Sequence, residues 1–124
     1  MSVPRISKEE LKRRLDDSPE TRPVLLDVRL KYPYEHSTLT LPGALRMPPG
    51  ALDPSRLPKD REIVTYDSDP DELVAERVAD ELNRFGYRAS ALAGGIGAWV
   101  IARFPTDRKS ALQTVPPAPR SLKS

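Results

Sequence analysis

Three observations in this 124-residue sequence predict an α/β domain built on a mostly parallel central sheet. Residues 24–28, Val-Leu-Leu-Asp-Val, form an apolar run of strand length without polar alternation, the pattern of a strand covered on both faces. Ile63, Val64, Thr65 and Tyr66 are β-branched or aromatic strand formers and give the clearest strand in the chain. Behind them, Val74, Val78, Leu82 and Phe85 recur three or four residues apart, flanked by Ala75 and Ala79, which places an amphipathic helix directly after that strand. Strand and helix alternate, with connections long enough for parallel crossovers.

The remaining elements follow in order. Ser7 is placed as an N-cap, Glu10 three residues on completes a capping box, and Ile6 with Leu11 forms a hydrophobic staple, so a helix is predicted from there to about residue 15. Asp16, Asp17, Ser18 and Pro19 break it before the first buried strand. Residues 31–49 are rich in Pro, Tyr, Ser and Thr and read mostly as loop, with a turn at Pro42-Gly43 and a short strand within residues 44–47. Gly86 stands where the long helix needs a C-terminal cap. Residues 88–92 read as a further strand, 93–95 as a tight loop, and 96–103 as a short helix stopped before Pro105. From about residue 108 the composition shifts to Lys, Ser, Gln, Pro and Arg, with Pro116, Pro117 and Pro119 close together. The expectation is therefore one domain over residues 1–107 and a flexible tail over 108–124.

Composition excludes several function classes. Hydrophobic residues are 38%, charged residues 31% and mean hydropathy −0.52, values of a soluble domain with one modest core. No apolar run approaches the ~20 residues of a membrane span, and the first residues lack the apolar stretch of a secretory signal, so a cytoplasmic location is expected. Twenty basic against eighteen acidic side chains leave a net charge of +2, too balanced for a nucleic-acid footprint. The absence of cysteine excludes disulfides, thiolate metal sites and every mechanism with a cysteine nucleophile. One histidine, His36, leaves no imidazole pair for a metal, so neither metal nor cofactor is expected.

The order and spacing of several segments resemble the rhodanese-like domains. These are Leu25-Leu-Asp-Val-Arg29, Leu41-Pro-Gly-Ala44 followed by Met47-Pro48, Leu57-Pro-Lys-Asp60, the strand ending at Tyr66, Phe85-Gly-Tyr87, and Leu92-Ala-Gly-Gly95 with Ala98-Trp99. The resemblance covers roughly residues 6–105 and implies a three-layer fold with helices on both faces of the sheet. It also implies that the residue after the strand at 63–66 holds the place of the family's sulfur-transferring cysteine, on a loop leading into a helix. Here that residue is Asp67. A carboxylate accepts the amide hydrogen bonds that converge on such a loop, but only a thiolate attacks sulfur and holds it as a persulfide. The resemblance thus implies a sulfurtransferase homologue without its nucleophile, whose loop Asp67, Ser68, Asp69, Pro70, Asp71 and Glu72 serves a binding or regulatory role toward a protein partner. His36 is displaced from the offset at which family members place a histidine, so no role passes to it.

Each candidate also has a plainer reading. Asp69 as N-cap, Pro70 at the first helical position, Asp71 in the first turn and Glu72 as capping-box acid all serve the following helix. Asp67 lies one step earlier, where local capping explains it least. Asp27 and Arg29 sit where open α/β folds bind ligands, yet a salt bridge that fixes the surrounding loops accounts for them more simply. Gly94 and Gly95 permit a tight turn beside the loop, and Trp99 is spaced to pack on the core. Two alternatives keep the enzyme question open. The sequence Tyr66-Asp67-Ser68-Asp69 is similar to the first motif of haloacid dehalogenase-like phosphatases, with Asp67 as nucleophile, Asp69 as acid and base, and Mg²⁺ between them; its continuation, Pro70-Asp71, departs from that motif, and Lys109 and Lys123 are the only lysines downstream. The other is a Cys-substituted form of an active sulfurtransferase.

Overall fold

The computed structural model describes residues 4–17, 19–68 and 73–109. Five strands form the central sheet: β1 (Arg5–Ile6), β2 (Val24–Asp27), β4 (Leu45–Arg46), β5 (Glu62–Tyr66) and β6 (Arg88–Leu92). Their spatial order is β1-β6-β5-β2-β4, and every neighbouring pair is parallel. The helices are α1 (Lys8–Leu15), α2 (Lys31–Glu35), α3 (Leu73–Arg84) and α4 (Gly95–Ile101). A separate antiparallel pair joins β3 (Leu39–Thr40) to β7 (Asp107–Arg108).

The strand alternation assigns each side chain to one of two cores. Leu26, Ile63, Ala89 and Ala91 face α3, whose Ala75, Val78, Ala79 and Leu82 meet them together with Met47 and Leu57. Leu25, Val64, Tyr66 and Leu92 face the opposite way, onto Leu11 and Leu15 of α1 and Ile96 and Trp99 of α4. This is the three-layer α/β arrangement. With both faces covered, β5 has no solvent side, which is why its last four residues are all buried.

Local signals held where they were strong. Ser7 Oγ accepts from the Glu10 amide at 3.1 Å, the expected cap of α1, but the Glu10 carboxylate accepts from Arg13 and Arg14, so the reciprocal half of the expected capping box gives way to ion pairs one turn on. Ile6 takes a double role: it belongs to the staple cluster with Leu11 and also pairs with Leu92 as part of β1. The structure departs from expectation at three places. Residues 31–35 form a helical turn rather than loop, with Tyr34 as its buried residue. Phe85, expected on the core stripe, is 56% exposed, because α3 ends at Arg84 and the chain turns at Gly86 with φ +91°. Tyr87, whose amide donates to the Leu82 carbonyl, takes the buried place instead. Finally, β7 crosses the expected boundary between residues 107 and 108 by pairing Arg108 with Leu39; residues 110–124 lie outside the described residues. No helix among the described residues is long and apolar enough to cross a membrane.

Replacing the capping hydroxyl tests the local reading: Ser7→Ala leaves the Glu10 amide without its side-chain acceptor and is expected to cost about 1 kcal/mol, read from urea unfolding at constant m-value.

Candidate functional site at the carboxyl edge of the sheet

In a parallel sheet every strand delivers its following loop to the same edge. Here that edge collects Asp27 at the end of β2 and Arg29 just after it, Asp67 and Ser68 after β5, and Gly94 and Gly95 after β6. The predicted site residues that the structure describes are therefore brought together. Asp69, Pro70, Asp71 and Glu72 lie outside the described residues.

Asp67 is 2% exposed. Its Oδ2 accepts from the Ala75 amide at 2.8 Å, and its backbone carbonyl accepts from the Ile96 amide at 2.9 Å. One residue thus joins the end of β5 to the first turns of both α3 and α4. Ala75 is the third described residue of α3, so the Asp67 oxygen meets an amide in the first described turn of that helix, toward the positive end of its dipole. The sequence made Asp67 the acid least explained by capping, and the structure gives its carboxylate a backbone partner eight residues on, in α3. Ser68 is exposed at the rim.

The second anchor is the Asp27–Arg29 pair, both residues 1% exposed. Arg29 donates to Asp27 through Nε at 3.0 Å and Nη2 at 2.7 Å, and its amide adds a third bond at 3.1 Å. The Tyr66 hydroxyl donates to Asp27 Oδ2 at 2.9 Å and accepts from the Leu41 amide at 3.2 Å. Arg29 Nη2 also reaches the Leu39 carbonyl at 3.0 Å. Arg46 closes the group, donating to the Arg29 carbonyl at 2.6 Å and lying 3.7 Å from Asp27 Oδ1. Tyr34 packs beneath these cations, with the Arg46 guanidinium 4.0 Å and that of Arg29 5.3 Å from its ring centre.

Burial works against the Arg29 charge, but the hydrogen bonds and charge of Asp27 outweigh it and raise its pKa. Burial, reinforced by the charge of Asp27, pushes the Tyr66 hydroxyl well above the ordinary tyrosine range. The same two causes raise Tyr34, while burial lowers Arg46. A buried bidentate ion pair against the rings of Tyr34 and Tyr66 is suited to holding loops in place.

Gly94 occupies the left-handed region at φ +83°, and a Cβ there would meet the Ala98 Cβ at 2.6 Å, so the turn that opens α4 requires glycine. Gly95, also at positive φ, begins that helix. Trp99 is fully buried and donates from Nε1 to the Pro105 carbonyl at 2.7 Å. His36 caps the carboxyl end of α2, exposed and stacked on Tyr32, away from this network. Sequence reasoning missed Tyr34, Arg46 and the hydroxyl of Tyr66. Their local signals were those of a loop aromatic, a surface arginine and a strand former; the register of β2 with β4 and β5 brings Arg46 and Tyr66 onto Asp27, and α2 sets the Tyr34 ring against the two guanidinium groups.

The pattern of the rhodanese-like domain matches residues 7–102, and the chain belongs to that family. Among solved structures, a Bacillus halodurans protein is similar at TM-score 0.73 and 21% identity, over 85% of this chain and 77% of that one. An Anabaena protein aligns at TM-score 0.69 and 27% identity, over 86% of this chain and 85% of that one. A thiosulfate sulfurtransferase from Pseudomonas aeruginosa aligns at TM-score 0.69 and 23% identity over 85% of this chain, which spans only 19% of that enzyme. Comparison with curated proteins gives no match.

Two predictions test the network. Asp27→Asn removes the counter-charge of the buried Arg29 and is expected to cost about 3 kcal/mol in urea unfolding. The folded-state pKa of Tyr66 is raised, so its contribution is complete below the unfolded-state value of about 10 and is lost as pH rises above it. Stability measured from pH 9 to 11 should therefore fall less steeply in Tyr66→Phe than in the wild type.

Proposed function

We propose that this rhodanese-like chain does not transfer sulfur and works instead as a binding module, with Asp67 standing where active relatives carry their cysteine. The observation that carries this reading is the bond from the Ala75 amide to Asp67 Oδ2. It lies on the residue directly after β5, at the amino end of α3, where the resemblance places the nucleophile. The carboxylate takes over the hydrogen-bonding place of a thiolate and so keeps the loop's architecture, while offering no sulfur to accept or pass on. The absence of cysteine anywhere in the sequence supports the same conclusion for the chain as given. The acidic residues of the loop in the sequence, Asp67, Asp69, Asp71 and Glu72, disfavour thiosulfate and favour a protein partner presenting basic groups.

The phosphohydrolase alternative asks Asp67 to attack phosphorus and hold Mg²⁺ with Asp69. A carboxyl 2% exposed, with one oxygen committed to a helix amide, is poorly placed for either task.

In a cyanide-dependent thiosulfate assay the chain is expected to stay at the uncatalysed background, and turnover above it would overturn the reading. Asp67→Cys then reports on the pocket: recovered thiosulfate turnover would mean that only the nucleophile is missing. Phosphate esters offered with and without Mg²⁺ should remain unhydrolysed, whereas a metal-dependent rate abolished by Asp67→Asn would favour the phosphohydrolase. For the binding role, a partner captured by the wild-type chain should be lost from a variant with Asp69→Lys and Asp71→Lys, and undiminished capture would count against the loop.

A further inference from the structure

The segment after α4 is tied at both ends and thinly held between. The chain turns at Arg103, with φ +62°, and Phe104 packs edge-on against Trp99 at 5.0 Å while the Trp99 indole donates to the Pro105 carbonyl. One end of the segment is thus fixed to a fully buried core residue. At the other end, the Lys109 amide donates to the Thr38 carbonyl at 2.8 Å, and its ammonium donates to the carbonyls of Tyr34 at 2.7 Å and Glu35 at 3.3 Å. The same nitrogen lies 4.3 Å from the centre of the Tyr34 ring. The Tyr34 carbonyl also accepts from the Ser37 amide at 3.2 Å, so the ammonium joins the backbone donors at the carboxyl end of α2, the end that suits a cation. Between the two ends, β7 contributes two exposed residues to a two-stranded sheet, and Asp107 Oδ2 accepts from the Gly43 amide at 2.8 Å.

A two-residue, two-stranded pairing is marginal by itself, in contrast to the five-stranded sheet buried on both faces. What it holds matters, because β3 is the strand whose Leu39 carbonyl receives the outer hydrogen bond of Arg29. Burial and the neighbouring charge of Arg29 lower the Lys109 pKa.

We propose that residues 104–109 are a releasable strap, latched by the charge of Lys109 on the carboxyl end of α2, and that unlatching it loosens residues 37–43 beside Arg29 while the five-stranded sheet stays folded. The strap thereby gives the chain a conformational control on the rim of the Asp27–Asp67 edge, set by a single surface-reachable cation. It does not depend on whether that edge binds a protein or performs chemistry.

Amide hydrogen exchange on the full chain tests this. In Lys109→Met and Lys109→Gln, residues 37–43 should exchange about tenfold faster or more, as expected for local opening, while the amides of β5 keep wild-type protection. Lys109→Arg, which retains the cation, should restore protection in 37–43. Unchanged exchange of residues 37–43 in both neutral variants would overturn the proposal. So would an equal loss of protection in β5, which would mean general destabilisation, or a failure of the arginine variant to restore it.

Discussion

The carboxylate of Asp67 on the Ala75 amide is the contact around which the carboxyl edge is organised. A parallel sheet brings its loops to one edge but does not fix them there. Asp67 does so at the central strand, by giving its side chain to an amide of α3 and its carbonyl to one of α4, so that one residue ties together two helices covering opposite faces of the sheet. A side chain without an acceptor oxygen at this position would take that partner from the buried Ala75 amide, a cost of about 1–3 kcal/mol.

Next to it, the Asp27–Arg29–Tyr66 network answers a different problem. The loop after β2 must pass over the edge without exposing the sheet, and it contains a charged pair that is buried as completely as the aliphatic core. Burying two charges is tolerable only when every donor and acceptor is used. Here the amide and guanidinium of Arg29, the hydroxyl of Tyr66 and the guanidinium of Arg46 converge on Asp27 or on the carbonyls beside it. The network and the Asp67 cap share β5: Tyr66 belongs to the first and Asp67 to the second. A buried acid on a helix amide and a well-partnered ion pair beside it describe an edge of this rhodanese-like fold whose polar groups are occupied in holding it together.

Much of the fold was legible locally. Residues 24–27 and 63–66 are apolar without alternation, a pattern that required cover on both faces, and α1 and α4 on one side with α3 on the other provide it. The Ser7 cap and Gly86 after α3 act through neighbours a few residues away, so their roles could be read from spacing alone. Phe85 failed the same test, since a helical stripe says where a side chain points only while the helix lasts, and the turn at Gly86 hands the core position to Tyr87.

The sequence by itself determined the alternation of strand and helix, the family, the lack of a thiol, and which acids and glycines fall after which strands, because each of these depends on composition or on contacts close along the chain. The tertiary structure decided what those residues do. Asp67 gained a partner because the fold sets the end of β5 against Ala75 of α3, Tyr66 and Arg46 became partners of Asp27 because strand register aligned them, and Lys109 reached α2 because β7 paired with a strand nearly 70 residues earlier. Such contacts join residues far apart in the chain, and no local pattern of side chains encodes which distant group will arrive.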